Sequence, residues 1–117
     1  MKAIYKYQLV TVSDLVAGDN FYEVEMPVGA RVINIDIQRE TVCLWAIVDP
    51  EEMEKETRKF YSVGTGWVMP DETFDETKGF IGTLLVWNGS FVYHFWEDCS
   101  VTIPVADEPV EETIEIN

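Results

Sequence analysis

The sequence predicts an all-β or β-rich fold, a small sandwich or barrel with one short helix and a C-terminal hairpin. Two observations favour this class. Several short segments alternate apolar and polar side chains with the period of a strand, and an Asn-Gly pair separates two runs of aromatic and β-branched residues. The 117 residues, 47% of them hydrophobic, suit one packed domain. We assign residues 1–103 to that domain and 104–117 to an acidic, mobile tail.

Five segments before the hairpin carry β-branched or aromatic residues at alternate positions, which is typical of strands. In one of them, Ile33 and Ile35 share a face while Asn34 and Asp36 lie on the other. Such a strand has one face towards the core and one towards water. The pattern predicts strands over Ile4–Leu9, Phe21–Met26, Arg31–Arg39, Thr41–Val48 and Arg58–Val63.

The helix is predicted directly after Val48. Asp49 is a suitable N-cap, and Pro50 suits the first helical position because proline has no backbone N–H to donate there. Glu52 follows the cap by three residues, as in a capping box. The signals together predict one short helix beginning near Pro50.

The C-terminal hairpin is predicted around Asn88-Gly89, since this dipeptide adopts the positive φ angles of a type I′ turn. Both strands are apolar on both faces. One face therefore needs cover from a second sheet, and the other needs cover from a helix, a loop or a second copy. Homo-oligomerisation is therefore one of the alternatives. The predicted register pairs Ile81 with Trp96, Gly82 with Phe95, Thr83 with His94, Leu84 with Tyr93 and Val86 with Phe91.

A glycine-rich turn opens the long segment 64–79, which has no sustained periodicity and is predicted to be a surface loop. Glycines let successive backbone amides converge on an anion, and two cations lie upstream. The candidate ligand-binding residues are Arg58, Lys59, Gly64, Thr65, Gly66 and Trp67. A plain turn at the end of a strand is the alternative. Trp87, beside the hairpin turn, is a candidate interface anchor.

The charge excludes ordinary nucleic-acid binding, because 22 acidic residues against 8 basic ones give a net charge of −14. An acidic mimic of nucleic acid remains an alternative. Cys43 and Cys99 have no CxxC spacing and are interpreted as packed, free thiols. We predict no metal and no cofactor. Since no apolar segment is long enough for a signal or a membrane span, we expect a cytoplasmic protein.

His94 is the only histidine and therefore the only candidate for a histidine base. Its predicted place inside a strand, opposite Thr83, favours a packing role over catalysis. Acidic side chains between residues 71 and 76 are the other candidates for a base. We therefore expect a protein that is not an enzyme.

Several segments resemble a family of small proteins of bacteriophages and prophages that is defined as a domain of unknown function. The resemblance covers roughly residues 1–97. It implies a compact β domain in the host cytoplasm and no catalytic residues, and the family usually has a histidine where this chain has Trp67. The matching segments are IYKY at 4–7, MPVGARV at 26–32, CLWAIVDPE at 43–51, VGTGW at 63–67, FIGTLL at 80–85 and FVYHFWE at 91–97.

Four functions follow as hypotheses. The leading one is a non-catalytic protein that binds a host or phage protein. The second is a protein that sequesters a small nucleotide-like anion through the loop at Gly64 with Arg58 and Lys59. An acidic mimic of nucleic acid and a small enzyme that uses His94 are the remaining two.

Overall fold

A computed structural model of the chain describes residues 1–69, 77–99 and, by their backbone, 103–104. These ranges contain one helix and eight strands. In chain order they are β1 Ala3–Thr11, α1 Val12–Ala17, β2 Phe21–Pro27, β3 Arg31–Gln38, β4 Thr41–Val48, β5 Lys55–Gly64, β6 Phe80–Val86, β7 Phe91–Glu97 and β8 Ile103–Pro104.

The strands form two antiparallel sheets, which confirms the predicted fold class. The smaller sheet has the order β1-β4-β3, and the larger has the order β2-β5-β7-β6, with β8 also pairing with β5. The two sheets approach each other along two lines, where β1 lies beside β2 and β3 lies beside β6. The described residues therefore form a small two-sheet sandwich.

The core fills the space between the sheets and is closed by α1. Leu44 comes from the smaller sheet, Phe60 and Phe95 from the larger, and Leu15 from the helix, and all are fully buried. On β7 the residues Phe95 and Tyr93 are two positions apart and buried, as the period of two requires.

The predicted helix after Val48 is wrong, although its local signal is real. The Asp49 side chain accepts a hydrogen bond from the Glu51 backbone N–H at 3.0 Å, but it closes only a turn. The residues from Lys55 onward are taken up by β5, which pairs with β2 over seven positions. This long-range pairing outweighs the helix propensity of a short acidic segment.

The helix begins instead at Val12. Its N-cap is Thr11, whose hydroxyl accepts a hydrogen bond from the Asp14 N–H at 3.1 Å. It ends at Gly18, which has a φ of 113° that suits glycine. The cap and the terminal glycine were visible in the sequence, but six residues are too few for a helical period to show.

Four of the five predicted strands lie within observed ones, the fifth, Arg31–Arg39, runs one residue beyond the end of β3, and the hairpin is confirmed. Asn88 and Gly89 have φ angles of 58° and 84°, as a type I′ turn requires. The predicted register holds from Gly82–Phe95 to Val86–Phe91. Only the first pair is wrong, because a bulge between Phe80 and Gly82 places Phe80 opposite Trp96.

The predicted acidic tail, 104–117, lies outside the described residues except for Pro104. That residue is the second of β8 and pairs with Glu56. Residues 70–76 of the predicted surface loop also lie outside the described part of the chain.

Candidate functional site

One half of the larger sheet carries no charged side chain. Residues 60–69 and 79–96 contain no Asp, Glu, Lys or Arg, although 26% of the chain is charged. These stretches are the end of β5 with its following turn and the β6–β7 hairpin, which are neighbours in the sheet. An uncharged region of this size on a strongly acidic protein is the first indication of a contact surface.

Four aromatic rings lie in line across this uncharged region. The ring centroids are 5.9 Å apart from Trp67 to Tyr93, 6.3 Å from Tyr93 to Phe91 and 5.7 Å from Phe91 to Trp87. Trp67 is 49% exposed, Phe91 39% and Trp87 52%, whereas Tyr93 is buried beneath them. We call this group the aromatic cleft; it brings together two residues that the sequence analysis selected separately.

Trp67 reaches the cleft because Gly64 has no side chain. A tight turn follows β5, in which the Trp67 N–H donates to the Gly64 carbonyl at 3.0 Å and Gly66 has a φ of 91°. The indole then folds back over Gly64, where a Cβ atom would lie 2.6 Å from the ring. The glycines of this turn therefore position an aromatic ring.

Trp87 adopts a backbone conformation that disfavours bulky side chains. Its φ is 53°, in the left-handed region, and such a residue costs on the order of 1–3 kcal/mol. The ring makes an edge contact with Phe91, yet about half of its surface stays exposed. Among the described residues, Phe91 is the one aromatic ring in contact with Trp87, so the exposed ring is itself a functional candidate.

A cavity of about 210 Å³ opens in the cleft between Trp67 and Phe91, with Ser90 and Tyr93 also in its lining. Sites for drug-sized ligands usually measure roughly 300–1,000 Å³. The cavity is therefore suited to a single inserted side chain. Burial raises the pKa of the Tyr93 phenol above its ordinary value.

Arg58 lies in a different part of the molecule from the glycine turn. Its Nε and Nη2 bind the two carboxylate oxygens of Glu97, the second at 3.1 Å, and Nη1 donates to the Ala30 carbonyl at 2.8 Å and to Glu56 at 3.3 Å. The bond to Glu97 raises the pKa of Arg58, and the ion pair is largely buried. The guanidinium is therefore already occupied within the protein.

Lys59 also lies away from the cleft. It is next to Arg58 in β5, so it points to the opposite face, where Nζ is 4.0 Å from Glu23. Gly64 is five residues beyond Lys59, roughly 17 Å along the strand. In the part of the chain that the structure describes, no cation lines the cleft. The anion site stays a prediction. In the structure its two cations, Arg58 and Lys59, lie far from its glycine turn.

His94 joins the glycine turn to β6. Its Nε2 lies 2.8 Å from the Thr65 hydroxyl and its Nδ1 lies 2.9 Å from the Thr83 hydroxyl. The Thr83 contact follows from the predicted register; the Thr65 contact had no sequence signal, because the two residues are 29 positions apart.

The Thr65–His94–Thr83 arrangement has the geometry of a nucleophile and a base but not their chemistry. A neutral imidazole donates to one hydroxyl and accepts from the other, so both bonds are satisfied. In hydrolytic triads the third group is a carboxylate, which stabilises the imidazolium that forms during proton transfer. A threonine hydroxyl carries no charge, so the arrangement favours a structural role that ties the turn to the hairpin.

Replacing His94 with Gln is expected to lower the free energy of unfolding by about 1–3 kcal/mol, because it disturbs two hydrogen bonds. The measurement is urea unfolding of the purified protein. Thr83→Val breaks one of the two bonds and should cost about half as much. An unchanged stability together with a lost binding activity would show that His94 contacts a ligand.

The described residues hold no group of three or more His, Cys, Asp or Glu side chains that could bind a metal ion. Cys43 is buried and Cys99 exposed, and neither forms a disulfide, so the second is not the packed thiol that we predicted. The described helix is too short and too polar to cross a membrane.

Phe91 and Tyr93 were not selected as site residues from the sequence. The two residues alternate with Val92 and His94 on β7, so the sequence placed them on one face of a strand. The pattern could not show that Phe91 stays partly exposed while Tyr93 is buried beneath the neighbouring rings. The fold and the cleft together define a small two-sheet β domain with an exposed aromatic surface.

The chain belongs to DUF7352, a family defined as a domain of unknown function, whose model matches residues 1–103. The resemblance to a domain of unknown function is thereby confirmed. No curated protein and no solved structure shows a significant match to the chain.

Proposed function

We propose that this protein is a non-catalytic binding protein that takes one apolar side chain of a protein partner into the aromatic cleft. The observation that carries the proposal is the series of contacting rings from Trp67 to Trp87, of which Trp67, Phe91 and Trp87 stay 39–52% exposed in an uncharged part of an acidic chain. Tryptophan and tyrosine are the residues that most often dominate binding energy at protein interfaces.

A protein partner fits the cleft better than a small molecule does. The cavity of about 210 Å³ is small for a free ligand but suits one side chain of a larger surface. The surrounding rings offer flat apolar area, whereas the described lining offers no charged group that would orient a small anion. The rings would then surround the inserted side chain and exclude water from it.

The partner's surface is expected to be basic around its apolar anchor. The chain has a net charge of −14, and none of those charges lies in the cleft. Basic groups around the anchor would be attracted to the acidic remainder of the domain, which accelerates association and weakens with salt. If a bacteriophage encodes the chain, as the resemblance implies, the partner is a host or phage protein in the cytoplasm.

The test compares two cleft variants with a matched surface variant. Trp67→Ala and Trp87→Ala each remove one half-exposed ring, and Tyr5→Ala removes a ring that is 42% exposed on β1, in the other sheet. Proteins captured from a bacterial host lysate by the wild type are identified and purified, and their affinities are measured by titration calorimetry. Each tryptophan variant should weaken binding about 30-fold, and Tyr5→Ala should not.

Gly64→Ala separates the presence of the Trp67 ring from its position. The added Cβ would overlap the indole and move it away from Tyr93, although both tryptophans remain in the chain. It should weaken binding as Trp67→Ala does. A partner that binds the wild type and all four variants equally, or the capture of no protein that distinguishes them, would contradict the proposed function.

A further inference from the structure

Among the described residues, four of the longer strands lie at a sheet edge, and three of these are guarded by charged residues or proline; the two-residue β8 pairs with β5 alone. An unguarded edge exposes backbone N–H and C=O groups that pair readily with another strand, and charges or proline usually prevent this. β1 contains Lys6, β3 contains Arg31 and Asp36, and β2 contains Glu23, Glu25 and Pro27.

The fourth edge strand, β6, has neither a charged residue nor a proline. Its sequence is FIGTLLV, and its one irregularity is the bulge at Ile81, so the ladder is regular from Gly82 to Val86. Among the described residues, β6 is hydrogen-bonded as a strand to β7 alone. The neighbouring β3 contacts β6, and Ile35 approaches Gly82 there, but β3 forms no strand ladder with β6 in the described part of the chain.

Apolar side chains surround this open edge on its outer face and at its end. Leu85 is 63% exposed on the outer face, and Phe80, at the start of the strand, is 54% exposed. A strand that pairs with β6 would therefore satisfy backbone groups and cover apolar side chains in the same step. Strand addition at a sheet edge uses both contributions.

We propose that β6 pairs antiparallel with the β6 strand of a second copy of this chain, which gives a two-fold symmetric dimer with one continuous sheet. An antiparallel pair of identical strands has a two-fold axis, so both copies contribute the same surface. The second copy also supplies a strand that is already formed, which removes the entropic cost of ordering a flexible peptide.

Charge decides between the edges. Each copy carries a net charge of −14, so two copies repel each other, and the repulsion is weakest when the surfaces that meet carry no charge. Pairing of β2 with itself would bring Glu23 and Glu25 towards the same residues of the copy, and like charges opposite each other destabilise a sheet. Of these four longer edge strands, β6 alone has no charged residue that could lie opposite its copy.

The test is sedimentation equilibrium of the full chain over a range of protein concentrations. The wild type should be in monomer–dimer equilibrium, and added salt should favour the dimer because it screens the repulsion. Leu85→Lys places a charge on the open edge and should weaken the dimer at least about tenfold. Ile4→Lys is the matched control, since Ile4 is 60% exposed on the guarded strand β1, and it should leave the dimer unchanged.

Amide hydrogen exchange gives a second readout that does not depend on the variants. Protection that increases with protein concentration should appear in β6 and not in β1, β2 or β3. A monomer at all concentrations, a dimer that Ile4→Lys disrupts equally, or protection on another edge would each overturn the proposal. Protection of β6 only when a captured partner is added would show instead that a foreign strand occupies it. Because Leu85 lies outside the aromatic cleft, these results are separate from the binding test on Trp67 and Trp87.

Discussion

Replacing Arg58 with alanine is expected to lower the free energy of unfolding by about 3–5 kcal/mol. The guanidinium binds both carboxylate oxygens of Glu97 and also the Ala30 carbonyl, and both side chains of the ion pair are largely buried. Alanine would leave the Glu97 carboxylate buried without its partner, and an unpaired buried charge is costly. Urea unfolding at neutral pH measures the loss.

Two further variants make this prediction specific. Arg58→Lys keeps the charge but cannot bind the carboxylate through two parallel N–H groups, so its cost should lie between those of the wild type and the alanine variant. Lys59→Ala removes the neighbouring cation, which is solvent-exposed and 4.0 Å from Glu23, and should cost less than about 1 kcal/mol. An equal loss of unfolding free energy for Arg58→Ala and Lys59→Ala would show that the buried ion pair between Arg58 and Glu97 does not stabilise the fold.

Replacing Phe95 with alanine is expected to cost about 3–5 kcal/mol, at the upper end of values for buried aromatic residues. Phe95 is fully buried and stands between two small residues, Ser62 on β5 and Gly82 on β6. Its ring lies 6.4 Å from the ring of Tyr22. Because neither small neighbour can fill the vacated space, the variant should retain a cavity.

The control for Phe95 is Phe91→Ala, which makes the same chemical change four residues earlier on β7, where the ring is partly exposed. Its loss of stability should be clearly smaller, because less apolar surface returns to water. Thermal and urea unfolding of both variants measure the difference. A loss below about 2 kcal/mol for Phe95→Ala would mean that the two sheets move together to close the cavity.

The segments that the sequence predicted best are those whose signal is local. Alternating side chains located all five early strands, and the Asn88-Gly89 turn gave the hairpin and most of its register. Local signals gave a wrong prediction after Val48. The Asp49 side chain closes only a turn there, and the residues from Lys55 onward form β5, which pairs with β2. Propensities of a few tenths of a kcal/mol do not outweigh a strand pairing of this length.

The sequence identified two residues of the aromatic cleft but not the way in which its rings contact each other. Trp67 and Trp87 were both selected from the sequence, yet their contact through Tyr93 and Phe91 depends on β5 and β7 being neighbours. Arg58 was selected as a ligand-binding cation because it lies near Gly64 in the sequence. In the strand that closeness becomes roughly 20 Å, and Glu97, which is 39 positions away, binds the guanidinium instead.

The sequence by itself determined that this protein is a small, acidic β domain with a C-terminal hairpin and an uncharged stretch at residues 79–96. Those properties follow from side-chain period, turn chemistry and composition, which act over a few residues. Only the tertiary structure decided which strands share a sheet and which of the described strands lie at its edges. It also decided which aromatic rings meet in the cleft and that Glu97 pairs with Arg58. These outcomes depend on contacts between residues far apart in the chain, and a strand carries no local mark of the neighbour that it will pair with.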